Sequence, residues 1–456
     1  MRPVQFKVCN PFDGATVGSL AESSTDDIHA TVLRARQAAQ GFRTSTPHQR
    51  RALLSGLAVL IRRDAEVLAQ TISAEMGKTI TEARGEVRRA QNTLLLAGDA
   101  ATFLDGEVMQ CAIVAGGVDR QAVVTYAPVG VVGAITPFNY PVNLLCHKLG
   151  PAIAAGNAVV VKPSPKAPLA ADHLVRLTVE AGFPRDLVQI VHGGAEAALA
   201  LARAPIDLLS FTGGAQAGLA LKRASGLVRC LMELGGNDPL FVLPDADLEA
   251  ASATAIGQRY EIAGQSCAAV KKLYVHEAVA APFTEILAAK VAAHRYGNPA
   301  DADSQMGPVI DLPAAAEIAT RVTEARAAGA QLVQGGTRDG TMIAPTLLTD
   351  VRPECRLFAL ETFGPVLAMR RFADLDAAMA EVNATAFGLQ AGVFTNDHAA
   401  IHRLSRGLQV GGLMVNEGPD FRAEHVPFGG IKSSGLGREG VRITLREMSE
   451  TRVVID

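Results

Sequence analysis

With 456 residues, 48% of them hydrophobic, 20% charged and a formal net charge of -3, the chain is too long for one small core and suits two or three packed units. So even a charge balance leaves no field to draw in nucleic acid or an anionic membrane, and neither is expected as a partner. Residues 1–10 show no export signal, no apolar run approaches the roughly 18 residues of a membrane span, and six cysteines lie far apart without a C-x-x-C pair; a cytoplasmic protein without disulfides or bound metal is expected.

In chain order, Ser24 and Asp27 form a helix-start signal before Ile28, Val32, Ala35, Ala39 and Phe42, which fall on one helical face. A second helical region is predicted over 47–104, charged on one side (Arg50, Arg62, Glu66, Arg88) and interrupted near Met76-Gly77. From 129 onward, β-branched runs at 129–136, 158–161, 188–191, 208–212 and 228–233 alternate with helical stretches such as 143–155 and 169–181. This βαβα rhythm predicts a parallel sheet covered by helices on both faces, with ligands beyond the carboxyl ends of its strands. After Gly235-Gly236 the rhythm restarts with a strand at 239–243, a helix at 248–263 and a strand at 269–276, and continues to about 415, as a second α/β domain would. The stretches 118–126 and 451–455 read as strands outside either sheet, of a kind that pairs with another subunit.

Three polar residues sit where chemistry is possible. Cys267 follows Gly264-Gln265-Ser266 at a helix–strand junction, where a helix end and backbone N–H groups would favour a thiolate, although a lone cysteine is more often a small buried hydrophobe. Glu233 precedes two glycines at a strand end and reads as a general base or as a turn carboxylate. Asn139, held between Pro137 and Pro141, reads as an oxyanion donor or as a turn residue. Lys162-Pro163-Ser164 and Phe211-Thr212-Gly213-Gly214 with Gly218 each follow a strand, where a phosphate can meet a helix start. Neither is a G-x-G-x-x-G or G-K-[ST] motif, so these residues by themselves identify no nucleotide.

The order of the motifs is more specific than any one of them. Asn139 in PFNYP, Lys162 in VVVKPS, FTGG at 211–214, ELGG at 233–236, GQSC at 264–267, Glu361-Thr362-Phe363-Gly364-Pro365 and PFGGIKSSG at 427–435 follow one another as in the aldehyde dehydrogenase family, which the chain resembles over essentially its whole length. The resemblance implies an α/β aldehyde dehydrogenase fold. Its parts would be a Rossmann-like parallel-sheet NAD(P)-binding domain (1–109 and 129–235), an α/β catalytic domain (236–435) and an oligomerisation β-extension (110–128 and 436–456) of a homodimer or homotetramer.

It also implies a division of labour among residues. Cys267 would add to the aldehyde, Asn139 and the Cys267 N–H would hold the oxyanion, and after hydride loss Glu233 would activate water against the thioester. Lys148 and Glu439 match residues with supporting roles in proton handling. Lys162 and Ser164 fall at the adenosine ribose end of NAD or NADP, Glu361 and Phe363 at the nicotinamide ribose, and Ile135, Thr136, Pro137, Gly213, Gly214, Gly218 and Leu234 along the cleft. Three departures from the common pattern matter. Pro165, followed by Lys166, replaces a glutamate that disfavours NADP; Gly214 replaces a pyrophosphate-contacting serine; and Ser266 replaces the arginine typical of relatives that take phosphorylated or phosphonylated aldehydes. Burying a dianion without cations is costly, so the expected substrate is a small aldehyde, hydroxylated or singly charged, met by Ser266 and Arg422. Glu233 speaks against the rival CoA-acylating chemistry, and the full set of Cys267, Glu233 and Asn139 speaks against a silent scaffold.

Overall fold

The computed structural model describes residues 4–456; residues 1–3, included in the expected cofactor domain and in the N-terminal reading, lie outside the described residues. The first helix, Thr25–Phe42, is closed by the anticipated capping box: the Ser24 hydroxyl accepts from the Asp27 N–H and the Asp27 carboxylate accepts from the Ser24 N–H. Ile28, Val32, Ala35, Ala39 and Phe42 are its buried face.

The expected helical region 47–104 is three helices, Pro47–Arg63, Ala65–Met76 and Ile80–Ala100, so one break was missed, at Asp64. There the Asp64 carboxylate accepts from His173 Nε2 at 2.8 Å, a tertiary contact without a local sequence signal. The foreseen break at Gly77 has a backbone reason: its φ is +80°, and a Cβ there would stand 2.7 Å from Pro308.

A six-stranded sheet runs in the order Gly435–Leu436, Arg229–Glu233, Leu208–Thr212, Val131–Ile135, Ala158–Lys162, Val188–Ile190. Its five long-chain neighbours pair in parallel; only the short strand Gly435–Leu436 is antiparallel. A seven-stranded sheet lies in the order Gln331–Gln334, Thr346–Thr349, Val366–Phe372, Lys272–His276, Pro239–Val242, Gln390–Phe394, Gly412–Val415, and is parallel except at its first strand. Each sheet has its own apolar core, one built mainly from residues between Ile28 and Leu234, the other from residues between Leu240 and Leu408. The two cores part close to Gly235-Gly236.

A third, three-stranded antiparallel sheet is made by Glu107–Gln110, Gln121–Pro128 and Ser449–Ile455. The expected extension 436–456 is therefore divided. Helix Val441–Glu447 sends Val441 and Leu445, with Met448 just after it, into the first core, and only the last strand joins the third sheet. Seven helical residues carry too little periodicity to announce this packing. The hairpin Gln5–Cys9 with Thr16–Ala21 was likewise not foreseen. Among the described residues no helix is long and apolar enough to cross a membrane.

Candidate active site

A cavity of about 460 Å³ opens where the carboxyl ends of the first sheet's strands face the second domain. Its wall on that side is built from the segments at the strand ends. Val131–Ile135 leads to Thr136, Pro137 and Asn139; Ala158–Lys162 leads to Ser164 and Pro165; Leu208–Thr212 leads to Gly213 and Gly214; Arg229–Glu233 ends in Glu233 itself, followed by Leu234. Cys267, Ser266, Glu361, Phe363, Arg422 and Glu439 reach the same cavity from the far side of Gly236 in sequence.

The nucleophile loop is held in an unusual shape. Helix Leu248–Tyr260 stops three residues earlier than expected, because Ile262, Ala263 and Gly264 all have positive φ (45°, 54° and 72°). Two non-glycine residues in that region store strain. The Glu82 carboxylate secures them by accepting from the Ile262 N–H at 2.7 Å, and Gln265 spans the loop from its Nε2 to Ile262 O and from Ile310 N to its Oε1. Lys271, buried behind the loop, donates to the carbonyls of Ser266 and Cys267.

Cys267 is half-buried and a free thiol. Burial, reinforced by Asp420, pushes the Cys267 thiol above its ordinary range, and Lys271 partly opposes this. The strand that follows begins at Lys272. Asn139, also buried, donates from Nδ2 to Gln265 O at 2.8 Å, which ties the proline-flanked loop to the nucleophile loop, while its Oδ1 has no partner.

Glu233 is buried, with one carboxylate oxygen unpartnered. Burial first, and the neighbouring Glu439 second, raise it well above the normal carboxylate range. Its fit is close: a Cβ on Gly429 would stand 2.5 Å from Glu233 Oε1. Behind it lies a fully buried network. Lys148 Nζ donates to Glu439 at 2.8 Å, Thr212 at 2.7 Å and Ser210 at 3.2 Å, and Arg422 donates to the other Glu439 oxygen at 3.0 Å. Burial opposes ionisation of Glu439, yet Lys148 and Arg422 together keep it strongly acidic. Lys148 does not reach the cavity surface; it supports the floor from beneath.

Toward the other end, helix Ala215–Ser225 starts at Gly214 without a side-chain cap, and Gly213, Gly214 and Ala217 line the cavity. The first N–H groups of that helix thus lack intrahelical acceptors and offer an anion seat. Gly218 is not on the surface; a Cβ there would press 2.6 Å from Leu234, so it lets helix and strand end approach. Lys162 is buried, bonded only to Pro163 O, and burial lowers it to about 8. Glu361 accepts from Gly236 N at 3.2 Å, and a Cβ on Gly235 would collide with its carboxylate at 2.0 Å. An uncapped helix start, a buried lysine bonded only to a backbone carbonyl and a carboxylate over two glycines together fit a dinucleotide.

At the substrate end, Arg422 is only 10% exposed at its side chain, paired with Glu439 and stacked 4.3 Å over the Phe428 ring. Ser266 donates to Asp420 Oδ1 at 2.9 Å. Asp420, Arg89, Tyr140 and Phe428 line the cavity and were not anticipated. Asp420 was accessible in principle through its closeness to Arg422 in sequence; Arg89 lies on a helix that only the fold brings here.

The aldehyde dehydrogenase family model matches residues 2–454. The chain is 37% identical over 451 residues to the sulfoacetaldehyde dehydrogenase of Neptuniibacter caesariensis, covering 99% of each. It is also similar to the NADP-dependent glyceraldehyde-3-phosphate dehydrogenase of Bacillus halodurans C-125 complexed with NADP (TM-score 0.97, 34% identity, 99% of this chain and 96% of that one). A third likeness is to the NAD-dependent aldehyde dehydrogenase of Sinorhizobium meliloti (TM-score 0.96, 33% identity, 99% and 91%). With its ordered motifs, two α/β cores and a cavity lined from both, the chain belongs to the aldehyde dehydrogenase family.

Proposed function

We propose that this enzyme oxidises a small aldehyde, hydroxylated or singly charged, to its carboxylic acid with NAD+ or NADP+. The observation that carries the reading is the convergence of Cys267, Asn139, Glu233 and Glu361, from four distant segments, on one cavity. The dinucleotide, when bound, supplies the hydride acceptor. The chain supplies the rest. Lys162, Ser164 and the helix start at Gly214 hold the nucleotide end, and Glu361 with Phe363 orients the other.

Cys267, as its thiolate, adds to the carbonyl carbon through sulfur. The second Asn139 N–H and the Cys267 N–H receive the oxyanion. Glu233, raised and with a free oxygen, takes a proton from the water that cleaves the acyl–sulfur bond. Lys148, Arg422 and Glu439 set the field around that carboxylate.

For the substrate, both cavity arginines already face carboxylates: Arg422 donates to Glu439, and Arg89 donates from Nε to Glu424 at 2.8 Å. A dianionic head group would compete with those carboxylates, whereas one charge or a hydroxyl would not. Comparing kcat/KM for lactaldehyde, succinate semialdehyde and phosphonoacetaldehyde tests this, and a clear preference for the last would overturn it. Cys267→Ala must abolish aldehyde-dependent NAD(P)H formation that the parent shows.

The homo-oligomer, dimer or tetramer, is supported by the third sheet, which leaves Val108, Met109, Val453, Val454 and Ile455 exposed. Light scattering would show a monomer if this part is wrong. The six free cysteines suit the reducing cytoplasm.

A further inference from the structure

We propose that Asp420 determines specificity by accepting a hydrogen bond from a neutral hydroxyl on the substrate, on the carbon next to the aldehyde. This deepens the oxidation reading above and rests on it. The Asp420 backbone is anchored, its N–H donating to Gln258 Oε1 at 2.9 Å. One carboxylate oxygen accepts from Ser266 Oγ at 2.9 Å; the other is buried and has no partner, in a residue that lines the cavity. A buried acceptor without a donor costs free energy that a ligand O–H removes. The place is near the nucleophile: Ser266 adjoins Cys267 in the chain, and Asp420 is the leading charged neighbour acting on the Cys267 thiol.

No protein donor reaches that oxygen, although Arg422 Nε is itself buried and unpartnered. Arg89 serves Glu424, Arg422 serves Glu439, and Lys271 serves the Ser266 and Cys267 carbonyls. These three cations also act on Asp420 electrostatically. An ammonium on the substrate would be repelled by them, which favours an uncharged donor.

The test measures kcat/KM for 2-hydroxypropanal and propanal with the full-length parent, Asp420→Leu and Asp420→Asn. The parent is expected to favour the hydroxylated aldehyde at least tenfold, and Asp420→Leu to bring the ratio below about threefold. In the nearly isosteric Asp420→Asn, Ser266 still holds the oxygen and the NH2 faces the cavity. The ratio of 2-methoxypropanal to 2-hydroxypropanal should then rise at least fivefold over the parent, which keeps the test alive if the leucine variant does not fold. A parent ratio near one, or a folded Asp420→Leu that keeps the parent ratio, overturns the Asp420 assignment alone. A parent preferring 2-aminopropanal to 2-hydroxypropanal overturns the neutral donor. Failure to oxidise any aldehyde overturns the underlying oxidation instead.

Discussion

Replacing Lys148 by Met would remove the ammonium from a site where it is 1% exposed and donates three hydrogen bonds, one of them to a carboxylate that is itself 4% exposed. Glu439 would keep only Arg422 as a charged hydrogen-bond partner, and the hydroxyls of Thr212 and Ser210 would lose their donor. Breaking a buried pair from one side costs about 3–5 kcal/mol, a large part of the roughly 5–15 kcal/mol typical of a domain. Most of that cost is the stranded charge of Glu439. Removing that charge as well, in Lys148→Met with Glu439→Gln, should therefore recover a substantial part of the loss. Thermal midpoints of the parent, both single variants and the double variant close the cycle, and the double variant should melt above Lys148→Met. Losses that add to within about 0.5 kcal/mol would refute the coupling. The same substitution removes a cation that favours ionised Glu233, so any residual activity should need a higher pH than the parent's.

Further outcomes rest on single contacts. Glu233→Gln should leave the first turnover visible as a burst of NAD(P)H but slow steady turnover by about 10²–10⁴-fold; loss of the burst and steady rate together would argue against a role confined to hydrolysis. Because the Glu233 carboxyl is raised, its basic form accumulates as pH increases, and hydrolysis-limited turnover should climb on the alkaline side, with Glu233→Gln flattening the climb. Gly235→Ala puts a methyl group 2.0 Å from the present Glu361 carboxylate; the KM for NAD(P)+ should rise at least tenfold, and an unchanged KM would place Glu361 away from the cofactor. Lys162, lowered to about 8, is cationic below that pH and neutral above it. If it meets the 2′-phosphate, the KM for NADP+ should rise between about pH 7 and 9 more than that for NAD+, and parallel profiles would exclude that contact.

The class of fold and the identities of the main chemical groups were legible in the order of residues. Alternating β-branched runs and helical faces, with glycine pairs at strand ends, are local features, so Glu233, Lys162 and the 211–214 turn could be put at the ends of parallel strands from spacing alone. Cys267 and Asn139 gained their meaning from motif order. The environment of these groups is instead a product of folding. Cys267 lies in a loop with positive φ held by Glu82, from a helix about 180 residues earlier in the chain, and burial beside Asp420 pushes its thiol upward. Lys148 and Gly218 lie beneath the cavity, and Arg422, a candidate substrate contact, donates to Glu439. Ion pairing and desolvation depend on which distant side chains end up within a few ångströms, and spacing along a chain does not encode that.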